Sequence, residues 1–151
     1  SWCESRDGTF LKTNPLQNKR RIHDMTIVTS KNHRNQTLKK VIEKLNFKDQ
    51  IVMGSVGCKI ASILRGESNI YICLSLPGKS SPKDWDFAAP ETILRTAGGS
   101  LTNLHGDELS YGGPNFEQGG IIVATSDKFS HKSICSEIMQ VIRKFDLYPF
   151  D

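Results

Sequence analysis

Three short stretches of this chain place groups that can handle a phosphate or a hard cation at the start of a helix. The first is Asp84-Trp85-Asp86-Phe87-Ala88-Ala89-Pro90-Glu91, which runs on to Gly98-Gly99. A carboxylate held at a helix mouth can ligate a cation such as Mg²⁺. Pro90 has no N–H to give to the Asp86 carbonyl, so regular bonding is expected from Phe87 onward, with the Asp86 carboxylate free to turn outward. Asp84 or Asp86 could equally be a plain helix cap. Trp85 is expected to pack behind the carboxylate, and Asp84 to be a cap or a solvated charge. The second stretch is Gly54-Ser55-Val56-Gly57-Cys58-Lys59, where a strand ends in glycine and a helix opens at Ser55. Free N–H groups at such a start attract a phosphate, and Lys59 one turn along can add a point charge. A serine cap followed by a surface lysine is the plain alternative. The third is Thr29-Ser30-Lys31-Asn32-His33-Arg34, another strand-to-helix junction, where His33 beside a phosphate would have its protonated form favoured. An exposed polar cap is its alternative.

The elements that must carry these stretches follow from periodicity. Residues 25–29, 51–53, 70–74, 101–104 and 121–124 are short β-branched or apolar runs and predict five strands. Between them Leu38, Val41, Ile42 and Leu45 recur at helical spacing, as do Val56, Ile60, Ile63 and Leu64. A third helix is expected over residues 86–97, with Trp85, Ala88, Ala89, Ile93 and Ala97 along its apolar stripe and Gly98 as a left-handed cap. Ile134, Ile138, Val141, Ile142 and Phe145 mark the last. Residues 77–83 and 109–120 are loops, residues 2–12 an edge hairpin or strand, and the region to residue 21 a mobile loop. Strands alternating with helices predict an α/β, layered α-β-α domain with a mostly parallel five-stranded sheet, spanning residues 1–151 as one unit. All three stretches then lie at strand C-termini, where open α/β sheets bind ligands.

Composition narrows the function classes. The chain has 151 residues, 37% hydrophobic and 24% charged, enough for one domain with a real core. Its net charge of +4 favours anionic partners. Only Lys19-Arg20-Arg21 forms a basic run and no aromatics interleave with it, so nucleic acid is not an expected partner. No apolar run approaches the roughly 18 residues a bilayer span needs, and no signal-peptide layout opens the chain, so no membrane association and a cytoplasmic location are expected. Cys3, Cys58, Cys73 and Cys135 lie far apart, and so do the four histidines, which argues against zinc and for reduced thiols.

The stretch from Trp85-Asp86 through Ala88-Ala89 to Ala97-Gly98-Gly99 resembles the second signature of the inositol monophosphatase superfamily. The match is closest to the CysQ-like 3'(2'),5'-bisphosphate nucleotidases, whose Gly-(Ser/Gly)-x-x-x-Lys and Ser-x-x-His elements resemble Gly54-Ser55…Lys59 and Ser30…His33. The resemblance runs from about Gly8 to Phe145. One position departs: Cys73, two residues after Tyr71, stands where some relatives carry a nucleotide-contacting arginine. The resemblance implies Asp86 as a metal and substrate ligand, Ser55 and Lys59 as phosphate contacts and His33 as a contact to the adenosine monophosphate part of the ligand. It implies Mg²⁺-dependent hydrolysis of a phosphate monoester, with adenosine 3',5'-bisphosphate favoured, a link to sulfur assimilation, and inhibition by lithium.

Members of this family are about twice as long, and their first half holds Asp-Pro-(Ile/Leu)-Asp-Gly-Thr and further acidic residues. Nothing in this chain matches those elements. The chain is therefore expected to correspond to the C-terminal half, with no nucleophile-activating residue of its own and little activity alone. An N-terminal half or a second copy would be its partner. An inositol or sugar monophosphatase, or a non-catalytic nucleotide-binding half-domain, are the alternatives.

Overall fold

The computed structural model describes residues 2–4, 10–12, 21–31 and 35–150. Two expectations, the loop before residue 21 and His33, fall on residues 13–20 and 32–34, outside the described residues. Within residues 2–12, β1 (Trp2–Glu4) and β2 (Phe10–Lys12) pair antiparallel with Cys3 opposite Leu11, but as a two-stranded sheet of their own and not as an edge of the main sheet.

The main body alternates as the periodicity requires. After a 3-10 turn at Ile22–Asp24 come β3 (Thr26–Ser30), α1 (Gln36–Leu45), β4 (Asp49–Met53), α2 (Val56–Leu64), β5 (Ile70–Ser75), α3 (Asp84–Thr96), β6 (Ser100–Asn103), β7 (Gly120–Thr125) and α4 (Lys128–Lys144). The five strands from β3 onward form one sheet in the order β4-β3-β5-β7-β6. β3 pairs parallel with β4 and β5, whereas β7 pairs antiparallel with both β5 and β6. Four strands therefore share a direction and β7 alone is reversed, so the sheet is mixed. The reversal has a connectivity cause. Only a 3-10 turn at Pro114–Phe116, and no crossover α-helix, separates β6 from β7, so β7 folds back beside its predecessor and slots between β6 and β5.

Successive residues on a strand face opposite sides of a sheet, and each side here has its own core. Ile27, Ile70, Ile72, Leu74, Ile121 and Val123 meet Val41 and Leu45 of α1 and Ile134, Ile138 and Ile142 of α4. Val28, Tyr71, Leu101, Ile122 and Ala124 meet Ile60 and Ile63 of α2 and Phe87 and Leu94 of α3. The result is the expected α-β-α layering. Among the described residues, no helix is long and apolar enough to cross a membrane.

Each site-bearing helix has a defined start. Asn35 caps α1, its side chain accepting from the Leu38 N–H at 3.1 Å, and its Nδ2 donates to the Leu74 carbonyl at 2.7 Å. Ser55 caps α2 by accepting from the Cys58 N–H at 3.1 Å. α3 begins earlier than Pro90 led us to expect. Asp84 is already helical and the Asp86 N–H donates to the Lys83 carbonyl at 2.9 Å, so the helix absorbs the one bond Pro90 cannot make. Its buried stripe also differs from the expected one: Asp84, Phe87, Glu91 and Leu94 face inward, while Trp85, Ala88, Ala89 and Ile93 are exposed.

Candidate functional site

β3, β4 and β5 run parallel, so their C-terminal ends lie along one edge of the sheet, and the starts of α1, α2 and α3 follow from that edge. Ser55, Lys59 and Asp86 are brought there from two different helices. Tyr71 and Cys73 join them from β5, where they alternate onto the α2–α3 face.

Asp86 sits in the first turn of α3, half-buried, and one of its oxygens accepts from the Lys83 backbone N–H at 2.9 Å. That bond is one arm of a capping box. Asp86 is thus a helix-start group, as one of its two sequence readings had it, and its other oxygen remains available as a ligand. Its charge is close enough to push the Tyr71 phenol and the Cys73 thiol upward, although burial is the main cause for both.

Lys59 is not the surface cation that the sequence alternative pictured. It is 4% exposed, its Nζ donates to the Ser55 carbonyl at 3.3 Å, and it lies 5.0 Å from the centroid of the Tyr71 ring. Burial holds its ammonium below the usual lysine range, against the opposing pull of Cys73 and Cys58. Cys73 therefore belongs to the Lys59 environment, and its thiol is free, as are those of Cys58 and Cys135.

Asp84, expected to be a cap or a solvated charge, is instead buried and structural. Its carboxylate accepts from the Gly112 N–H and from Gln118 Nε2, both at 2.6 Å, and Gln118 Nε2 also reaches the Ser110 carbonyl at 2.7 Å. The loop between β6 and β7 is strapped across α3 by further ties. Lys83 Nζ donates to the Asn115 carbonyl and to Glu117, Tyr111 donates its hydroxyl to Glu91, and Arg95 bridges Glu91 and Glu108. Asn115 and Phe116 both take left-handed φ values in this strap. Phe116 meets Trp85 with ring centroids 6.0 Å apart, and Trp85 remains 66% exposed. Trp85 thus does not pack behind Asp86 as expected; the Lys83 N–H holds that carboxylate instead. The segment between β5 and α3 also walls an open cleft of about 500 Å³, lined on its other sides by Glu117, Gly119 and Tyr148.

The facing of Tyr71 and Cys73 toward α2 and α3, and the tie between Asp84 and Gln118, were not foreseen from the sequence. The period-two alternation of Tyr71 and Cys73 on a predicted strand was a usable signal for the first. Nothing local marks Asp84 or Gln118, whose contact spans 34 residues.

A divalent cation finds only part of a site here. Among the described residues no three His, Cys, Asp or Glu side chains gather to hold a metal, and Asp84 and Glu91 are engaged in the strap. Mg²⁺ takes near-octahedral oxygen coordination. Asp86 fits as one ligand to such an ion and not as its holder.

The inositol monophosphatase family profile matches residues 3–143. Mouse 3'(2'),5'-bisphosphate nucleotidase 1 is 38% identical over 85 residues, 56% of this chain and 26% of that protein. The inositol monophosphate-bound structure of SaIMPase-II superposes with a TM-score of 0.67 at 22% identity, covering 95% of this chain and 51% of that one. The 2'AMP-bound structure of SaIMPase-II gives 0.59 at 21%, covering 93% and 53%. At these identities the structural matches speak for the fold. The chain spans about half the length of those solved structures and matches about a quarter of the mouse enzyme. With the profile covering nearly all of it, the chain belongs to the inositol monophosphatase family.

Proposed function

We propose that this chain forms the substrate-holding part of a Mg²⁺-dependent phosphoric monoester hydrolase acting on adenosine 3',5'-bisphosphate, in the cytoplasm and in the service of sulfur metabolism. The observation that carries this reading is the convergence of Ser55, Lys59 and Asp86 at one sheet edge, in a family member that shares 38% identity with a bisphosphate nucleotidase. His33, outside the described residues, is proposed to seat the adenosine part of the ligand. Ser55 and Lys59 serve the retained phosphate. Asp86 gives one ligand to the metal ion, whose other protein ligands come from an N-terminal half that partners this domain.

In the reaction a water oxygen bonds to phosphorus, the ester P–O bond breaks, and the departing ribose oxygen takes up a proton. A bound Mg²⁺ would polarise the phosphoryl group and orient the water. The contribution of this chain is to bind and orient: an anion is favoured where a buried ammonium and a helix start lie together. Inositol monophosphate is the second reading, supported by the fold shared with a structure that holds that ligand.

Titrating the isotope-labelled chain with adenosine 3',5'-bisphosphate and with inositol 1-phosphate, each with Mg²⁺, tests this directly. The amides of residues 54–59 are expected to shift at lower concentrations of the nucleotide. The reverse preference would select the inositol reading, and silence towards both would overturn the phosphate site. Phosphate release by the chain alone is expected to match an Asp86→Asn control. Turnover that depends on Asp86 would show that the chain completes a metal site by itself.

A further inference from the structure

Ser55 carries a backbone conformation that its side chain does not favour. It stands at φ 25° and ψ 154°, one of the non-glycine residues of the described chain with positive φ. Residues persist in such sparsely populated regions only where their surroundings over-determine them, and such positions cluster at ligand clamps. Three bonds surround this one. The Ser55 hydroxyl oxygen accepts from the Cys58 N–H at 3.1 Å, and the Ser55 carbonyl accepts from the Lys59 N–H at 3.3 Å. The third is unusual: the same carbonyl accepts from the Lys59 ammonium at 3.3 Å.

That ammonium is an expensive group to keep inside. Lys59 is 4% exposed, and among the described residues no carboxylate bridges it. A buried charge without an ion pair is unfavourable unless it is well hydrogen-bonded. Its near neighbour is the Tyr71 ring, 5.0 Å away. The ammonium is anchored to the Ser55 carbonyl and to the ring, one helical turn from the cap, while Ser55 itself is exposed.

We propose that Lys59 is a positioning residue: it clamps the Ser55 carbonyl from inside and so holds the Gly54-Ser55 turn in the conformation that receives the phosphate. This deepens the function proposed above and rests on it for the identity of the ligand. It differs from a direct lysine–phosphate contact in a way that can be measured. A direct contact is lost when Lys59 is removed whatever residue occupies position 55. A clamp becomes redundant once that position can adopt the turn freely, as glycine does.

The first readout needs no ligand. In the full chain, Lys59→Met is expected to move the Ser55 HN–Hα coupling away from its wild-type value. The Cys58 amide should exchange about tenfold faster or more, with distant amides unchanged. The second readout is a cycle of adenosine 3',5'-bisphosphate affinities. Lys59→Met should weaken binding by roughly tenfold or more in the wild-type background, and by less than about twofold in the Ser55→Gly background. Lys59→Gln, which also removes the charge, is measured alongside in case the methionine variant does not fold. An unchanged Ser55 coupling in the lysine variants, or equal losses in both backgrounds, would overturn the clamp. A wild-type chain that binds no nucleotide would instead sink the proposed substrate, and the Ser55 geometry would still decide the clamp.

Discussion

Two carboxylates two residues apart have opposite fates in this protein. Asp86 keeps an oxygen available at the start of α3, whereas Asp84 spends both of its oxygens on the β6–β7 loop. Their types and spacing could not separate them, because each is a good helix-start residue. The difference is made by Gly112 and Gln118, which arrive from far along the chain. Charge-assisted bonds at 2.6 Å are strong, and removing the carboxylate takes away the partner of the Gly112 N–H and leaves Gln118 with its Ser110 bond alone. Asp84→Ala is therefore expected to cost about 2 kcal/mol of stability, read as a lower urea midpoint, and to expose the strap to proteases. Gln118→Leu should lose less, since the Gly112 bond remains. A midpoint unmoved by Asp84→Ala would mean that the strap holds without its carboxylate.

At the scale of the element, α3 shows where periodicity succeeds and where it misleads. Its length and its glycine stop were legible. Gly98 takes φ 94°, its N–H bonds the Arg95 carbonyl, and the Gly99 N–H reaches back to Leu94, which is the Schellman arrangement. The buried face was not legible, because it contains Asp84 and Glu91, while the apolar Trp85 and Ile93 point outward. A rule that seeks apolar stripes chooses the wrong side when polar residues are buried for the sake of a strap. The strand direction of β7 was hidden for a related reason, since an apolar run carries no mark of polarity. What α3 does fix tightly is its junction with β6. A Cβ on Gly99 would lie 2.6 Å from both Leu94 Cδ1 and the Thr125 carbonyl oxygen. The carbonyl belongs to β7 and cannot yield cheaply. Gly99→Ala should thus destabilise the fold by about 1–3 kcal/mol in urea unfolding. Gly113→Ala is the control: that position has negative φ and open space around it, so a change within about 0.5 kcal/mol is expected. Equal effects at the two positions would remove the packing explanation.

The molecule as a whole is knitted at a point that has no part in the proposed chemistry. His131 of α4 is 4% exposed, and its two ring nitrogens lie 2.7 Å from the Thr102 hydroxyl of β6 and 2.8 Å from the Thr125 hydroxyl of β7. Cys135 Sγ, one turn further along α4, is 3.5 Å from the same Nε2. One imidazole therefore joins the last helix to the last two strands, across the mixed half of the sheet. Burial pushes its pKa down to about 4. The unfolded chain takes up that proton near pH 6.5, so between these values the unfolded state binds more protons than the native one. Stability is then fully present above about pH 6.5 and drains away as the pH falls towards about 4. Over the step from about pH 7 to about pH 5 this group alone should cost roughly 2 kcal/mol. The check is the urea midpoint at both pH values for the wild type and for His131→Gln, whose uncharged side chain has no proton to gain. The wild type should lose the larger amount, and the difference of differences isolates His131 from the exposed His23 and His105. Parallel losses in the two proteins would place the acid sensitivity elsewhere and leave His131 as packing alone.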